Sequence, residues 1–145
     1  MSNEVVIDAE GCILGRLASS VSKMLLEGKK VFVVNVDRIY ISGGKASVLN
    51  EWRGTLDLKS IINPKLSPIH YRRVDLLFKK VVRGMLPYPK PRGKIALTNL
   101  RAYYGVPTQF QNVPKTEIEG IKATKHQSQY VKLIDIAKEL GWNGE

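Results

Sequence analysis

Residues 5–34 read VVIDAEGCILGRLASSVSKMLLEGKKVFVV, and the order of apolar positions along this stretch decides the fold. Val5-Val6-Ile7 is a short run of β-branched residues, the pattern of a buried strand. Asp8 to Gly11 makes a turn. Leu14, Leu17, Ala18, Val21 and Leu25 then recur at i, i+3, i+4, i+7 and i+11, a single stripe on a helix running from about Leu14 to Glu27. Gly28 supplies the stop just past its end. Val31-Phe32-Val33-Val34 is a second strand with no polar interruption. Strands written as continuous apolar runs are covered on both faces, as in parallel sheets.

Outward from this unit, Ile39-Tyr40-Ile41 reads as a short third strand. Gly43-Gly44 then turns the chain into a helix from about Lys45, with Ala46, Leu49, Trp52 and Leu56 facing inward. Asn63 to His70, holding Pro64 and Pro68, reads as a loop, and the periodicity predicts a third helix from about Arg72 to Arg83. Pro87, Pro89 and Pro91 predict an extended, polyproline-like segment. A short helix near Lys94 to Leu100, a strand near Arg101 to Tyr104 and a last helix from Leu133 to Leu140 follow, with turn-rich sequence from Val106 to Ala123. There is no internal repeat and no composition break. The expectation is a single domain over residues 1–145, of α/β class with a largely parallel sheet, from which a basic Pro-rich segment at about 85–94 projects.

The chain has 145 residues, and its 43% of hydrophobic residues is enough for a real core. Lys and Arg number 23 against 13 for Asp and Glu, giving +10 at pH 7. Such an excess in so short a chain calls for a polyanionic partner, nucleic acid before anionic membrane. Cys12 is the one cysteine, so no internal disulfide forms, and a reducing compartment and a small buried hydrophobe are the expectations. Met1 to Glu10 lacks the features of a signal peptide, and no apolar run approaches the roughly 20 residues of a membrane span. The sequence therefore reads as that of a soluble, intracellular protein.

The positive charge is concentrated. From Leu76 to Thr116 there is no acidic residue, while Lys79, Lys80, Arg83, Lys90, Arg92, Lys94, Arg101 and Lys115 all fall there. On the third helix, counting from Arg72 as zero at about 100° per residue, Arg73, Lys79, Lys80 and Arg83 join Arg72 within an arc of about 120°. Val74, Leu77, Phe78 and Val81 gather on the opposite side. One face packs and the other presents five cations, an arrangement suited to a phosphate backbone. A solvated helix face is the plainer reading, but Asp75 is the only nearby acid, where such a face would intersperse acids to form i,i+4 pairs. In the Pro-rich segment Lys90, Arg92 and Lys94 extend the basic surface. Tyr88 is placed either to stack on an unpaired base or to pack on the domain.

Other chemistry finds little support. Gly11-Cys12-Ile13-Leu14-Gly15-Arg16 and Gly43-Gly44-Lys45-Ala46-Ser47 follow strands, yet neither has the glycine spacing or the hydroxyl of a nucleotide loop. His70 and His126 stand far apart and a lone cysteine builds no zinc site, so no metal is expected. Asp8 and Asp37 follow buried strands, where catalytic carboxylates often lie; turn capping is the commoner use. A nucleotide-dependent transferase would need a phosphate-cradling loop and a positioned carboxylate. A membrane-surface protein would need a helix joining bulky aromatics to a basic rim.

Read together, Val6-Ile7-Asp8-Ala9-Glu10-Gly11 and Leu14-Gly15-Arg16-Leu17-Ala18-Ser19 resemble the opening of the universal large-subunit ribosomal protein numbered thirteen. Val33-Val34-Asn35-Val36 and Ile41-Ser42-Gly43 resemble its next block. His70-Tyr71-Arg72, Val82-Arg83-Gly84-Met85-Leu86-Pro87, Arg92-Gly93 and Leu100 through Pro107 continue in order, in the form of the archaeal and eukaryotic branch. The resemblance is dense from Val5 to Pro107 and resumes at Gly141-Trp142. The absence of a long basic tail before Glu145 favours the archaeal type.

This resemblance implies a three-layer α/β/α domain with a parallel sheet. It also implies a place in the cytoplasmic large ribosomal subunit, with large-subunit rRNA and neighbouring ribosomal proteins as partners. No catalytic site, cofactor, metal, membrane or small-molecule substrate is expected. Arg16, Lys45, Arg72, Arg83 and Arg92 match basic positions of the family's blocks. With His70, Arg73, Lys79, Lys80, Tyr88, Lys90 and Lys94 they form the candidate RNA-contact set, assigned from charge and position.

Overall fold

The computed structural model describes residues 3–57, 61–66, 71–116, 118, 120–123 and 129–142. Its centre is the expected strand–helix–strand unit. Strand β1 (Glu4–Asp8) leads through a turn into helix α1 (Leu14–Leu26), which returns the chain to strand β2 (Lys30–Val34). β1 and β2 pair in parallel, Val5 beside Val31 and Ile7 beside Val33. Gly28, at φ +89°, takes the left-handed conformation that ends α1, one that most side chains resist. Strand β4 (Leu100–Ala102) adds to the other side of β2, also parallel, so the sheet runs β1-β2-β4.

Because side chains alternate along a strand, Val31 and Val33 point to one face of the sheet and Phe32 and Val34 to the other. On the first face Val31, Val33 and Ile7 join one core with Leu17, Val21 and Leu25 of α1. Helix α3 (Val74–Met85) packs beside α1 and supplies Leu77, Phe78 and Val82 to that core. Helix α4 (Pro91–Thr98) lies against both, through Ala96. Over the second face Phe32 meets Phe110, with ring centroids 5.1 Å apart, and Phe110 meets Tyr103 at 5.4 Å. This loop, with its 3-10 turn at Thr108–Phe110, covers that side of the sheet around Phe32. The same loop then runs along the sheet edge, where Thr116 donates to the Val6 carbonyl at 2.7 Å.

A smaller unit completes the α/β domain. Strand β3 (Tyr40–Ser42) pairs antiparallel with β5 (Tyr130–Lys132), and helices α2 (Lys45–Leu56) and α5 (Leu133–Glu139) pack around this ribbon. The inner face of α2 is Val48, Leu49 and Trp52; Ala46, expected inside, is exposed. Asn35, buried and left-handed at φ 59°, turns the chain out of β2 and donates to Asp8 Oδ1 at 3.0 Å. Asp8 Oδ1 also accepts from the Glu10 amide, and Asp37 Oδ1 accepts from the Gly105 amide. Both strand-end carboxylates therefore hold turns.

The Pro-rich segment departs from its expected geometry. It does not extend. After buried Leu86 the chain doubles back, with the Tyr88 amide on the Leu86 carbonyl (2.7 Å) and the Lys90 amide on the Pro87 carbonyl (3.0 Å). Pro91 then opens α4, since proline's fixed φ and missing N–H suit the first helical position. Buried Leu86 and Gly93 anchor the two ends of the turn, and Pro89, Lys90, Pro91 and Arg92 between them are exposed.

Candidate nucleic-acid interface

Helix α3 starts later than the spacing predicts, and this redistributes its cations. Arg73 has extended backbone (φ −72°, ψ 143°) at the N-cap, and fully buried Val74 begins the helix. Arg73 reaches Asp75 in the first turn at 3.1 Å. A carboxylate there also suits the positive end of the helix dipole. Arg72 turns the other way, its Nε donating to the Leu140 carbonyl at the end of α5 (2.8 Å). The five-residue stripe is thereby corrected to three: Lys79, Lys80 and Arg83, within about 100° of the helix circumference. The buried side of α3 is Val74, Leu77, Phe78 and Val82; Val81 is only half-buried.

The three cations meet the Pro-rich turn. The Arg83 guanidinium lies over the Tyr88 ring, 4.1 Å from its centroid, a cation–π contact that holds both side chains. Lys79, Lys80, Arg83, Tyr88 and Tyr71 surround one cavity of about 160 Å³, with Leu76 and Leu97 completing its wall. The turn that carries Tyr88 sits directly on α4 at Gly93. A Cβ at Gly93 would run into the Pro87 carbonyl group and lie 2.7 Å from the Tyr88 nitrogen. No other residue fits there without moving the turn.

Lys90, Arg92 and Lys94 come at and just after the N-cap of α4, where the first turn holds no acid. Their charges add to the positive end of the helix, so repulsion builds up until an anion relieves it. Arg92 is not among the residues of the Tyr88 cavity and instead lines a wider hollow of about 520 Å³ with Ser19, Lys23, Leu26, Glu27 and Met85. Among the described residues, none of the eight cations between Leu76 and Thr116 is in an ion pair. The pairs that form lie outside that stretch: Lys29–Glu27, Arg38–Glu10, Lys45–Glu139, Arg53–Glu139 and Arg73–Asp75.

The remaining candidates are spread over the molecule. Arg16 Nη1 donates to the Gly120 carbonyl at 3.2 Å, tying α1 to a distant loop. Lys45 shares Glu139 with Arg53, at 3.8 and 3.2 Å. His70 lies outside the described residues. The structure thus gathers Lys79, Lys80, Arg83 and Tyr88 and groups Lys90, Arg92 and Lys94 close by in sequence at the start of α4, while Arg16 and Lys45 line neither of the two hollows. Tyr71, Leu97 and Gly93 are additions that the charge pattern does not reveal. Tyr71 and Gly93 do stand beside the basic residues of their sequence blocks, which was the available signal. Cys12 is buried, and burial pushes its thiol up, with Lys122 pulling it down and Asp8 adding to the rise. Among the described residues no group of metal-ligating side chains gathers, and no helix is long and apolar enough to cross a membrane.

Residues 2–109 match the family model described as ribosomal protein L13. The chain is 42% identical over 144 residues to the large ribosomal subunit protein uL13 of Aeropyrum pernix, covering 99% of this chain and 93% of the relative. It is 41% identical over 137 residues to uL13 of Methanococcoides burtonii, covering 94% and 96%. To uL13 of Saccharolobus solfataricus it is 38% identical over 141 residues, covering 97% and 94%. With the fold, the basic face and these matches running nearly end to end, the chain belongs to the ribosomal protein L13 family, in its archaeal form.

Proposed function

We propose that this protein is a structural constituent of the cytoplasmic large ribosomal subunit, where it binds folded large-subunit rRNA beside neighbouring ribosomal proteins and performs no catalysis. The observation that carries the RNA-binding reading is the lack of any ion pair, among the described residues, for the eight cations between Leu76 and Thr116. Phosphates are the partner such a surface fits. Each neutralised phosphate releases condensed counterions, and that release drives association. Lys79, Lys80 and Arg83 on α3 contribute the compact part of this surface, and Lys90, Arg92 and Lys94 on the turn and α4 continue it. Arg72 and Arg73 act mainly within the protein, holding α5 and the start of α3. Arg16 and Lys45 are further candidate contacts elsewhere on the domain.

The test is incorporation. A Lys79→Glu, Lys80→Glu protein folds but enters large subunits poorly when it competes with the wild type, as read by mass spectrometry of purified subunits. Equal incorporation of the two proteins contradicts the assignment of the α3 face. An equivalent double reversal at Lys29 and Lys30, outside the acid-free stretch, has the smaller effect.

A further inference from the structure

The cavity between α3 and the Pro87–Lys90 turn has a composition that phosphate binding alone does not explain. A surface that only tracks a backbone needs cations. Here Lys79, Lys80 and Arg83 line one recess together with two aromatic residues, Tyr71 and Tyr88, and two leucines, Leu76 and Leu97. Its volume of about 160 Å³ is close to that of an apolar cavity, roughly 150 Å³, that accommodates one benzene ring. Bases that leave an RNA helix are held by stacking on aromatic rings or on arginine planes, while the cations around them take the flanking phosphates.

Arg83 and Tyr88 are already arranged for this. The guanidinium over the Tyr88 ring, at 4.1 Å, is fixed before any ligand arrives, so little side-chain entropy is lost on binding. Gly93 permits that arrangement by letting the Tyr88 turn lie against α4. We infer that this cavity takes a single unstacked RNA nucleotide, its base against Arg83, Tyr88 and Tyr71 and its phosphates on Lys79 and Lys80. The inference rests on the rRNA-binding reading and sharpens it. α3 then captures a looped-out nucleotide in addition to contacting phosphates.

The alternative occupant, an acidic peptide of a neighbouring protein, would use the same lysines but leave the rings without a role. Two variants of the full-length protein separate these cases, with large-subunit rRNA as the probe and circular dichroism to confirm folding. Tyr88→Ala binds about tenfold more weakly, the scale of one lost base–aromatic stack, while the salt dependence of binding stays that of the wild type. Tyr88→Phe, which keeps the ring, binds like the wild type. In ultraviolet-irradiated large subunits, nuclease and protease digestion leaves a single-nucleotide adduct on Tyr71 or Tyr88. Wild-type affinity for Tyr88→Ala overturns the nucleotide pocket and leaves the rRNA reading intact. Carbodiimide coupling of Lys79 or Lys80 to an acidic residue of another protein also overturns it, in favour of the peptide. Loss of the rRNA reading itself would show separately, as weak and salt-independent binding by the wild type.

Discussion

Gly93 shows how one small residue sets the position of a larger one. The Pro87–Tyr88 backbone occupies the space where a Cβ would be, so Gly93→Ala must push the turn off α4. Overpacking of this kind costs about 1–3 kcal/mol. In a chain of this size each kcal/mol lowers Tm by roughly 2–4 °C, so thermal denaturation reads the effect directly. An unchanged Tm would mean that the turn moves freely. Cys12 makes a second statement at this scale. Burial raises its thiol above the usual range, so the native protein resists alkylation at neutral pH and reacts once unfolded. The sign for stability follows: the contribution is complete below the unfolded thiol's pKa and is lost as pH rises through the higher folded value. Denaturation midpoints should therefore fall at alkaline pH, and Cys12→Ala should remove that part of the fall.

Helix α3 performs two tasks on two faces, and the faces respond differently to mutation. Phe78 is fully buried, and Phe78→Ala should cost about 3–5 kcal/mol by denaturant titration. Lys79→Glu with Lys80→Glu should change stability by less than about 1 kcal/mol, because neither lysine is in an ion pair among the described residues, and Asp75, four residues before Lys79, is its one acidic neighbour on α3. A large loss for the lysine pair would show that these side chains support the fold rather than the surface. The packing side of α3 was legible because Leu77 and Phe78 follow helical periodicity whatever the exact start. The start itself was not legible. Arg72 and Arg73 lie on the same arc as Lys79 only if the helix already includes them. Tertiary partners decide otherwise: the Leu140 carbonyl takes Arg72, and Asp75 takes Arg73. The Pro-rich segment misleads for a related reason. Three spaced prolines permit polyproline geometry, but proline equally favours turns and the first helical position. Buried Leu86 and Gly93 supply contacts that choose the turn.

Over the whole molecule, the β1–α1–β2 unit was readable because its apolar runs are both continuous and correctly spaced. β5 was not, since Tyr130-Val131-Lys132 is too short to carry a period and is defined by its pairing with β3. The cavity near Tyr88 was beyond sequence reasoning as well, because Tyr71, Arg83 and Leu97 come from separate segments. What the sequence does carry across all scales is the one-sided charge, and the account depends on it. The direct measurement is the affinity of the wild-type protein for large-subunit rRNA as a function of salt. If roughly six to eight phosphates are neutralised, log K should fall against log salt with a slope of about −4 to −7, and by about two less for the lysine double reversal. A flat dependence for the wild type, or the same slope for both proteins, would contradict it.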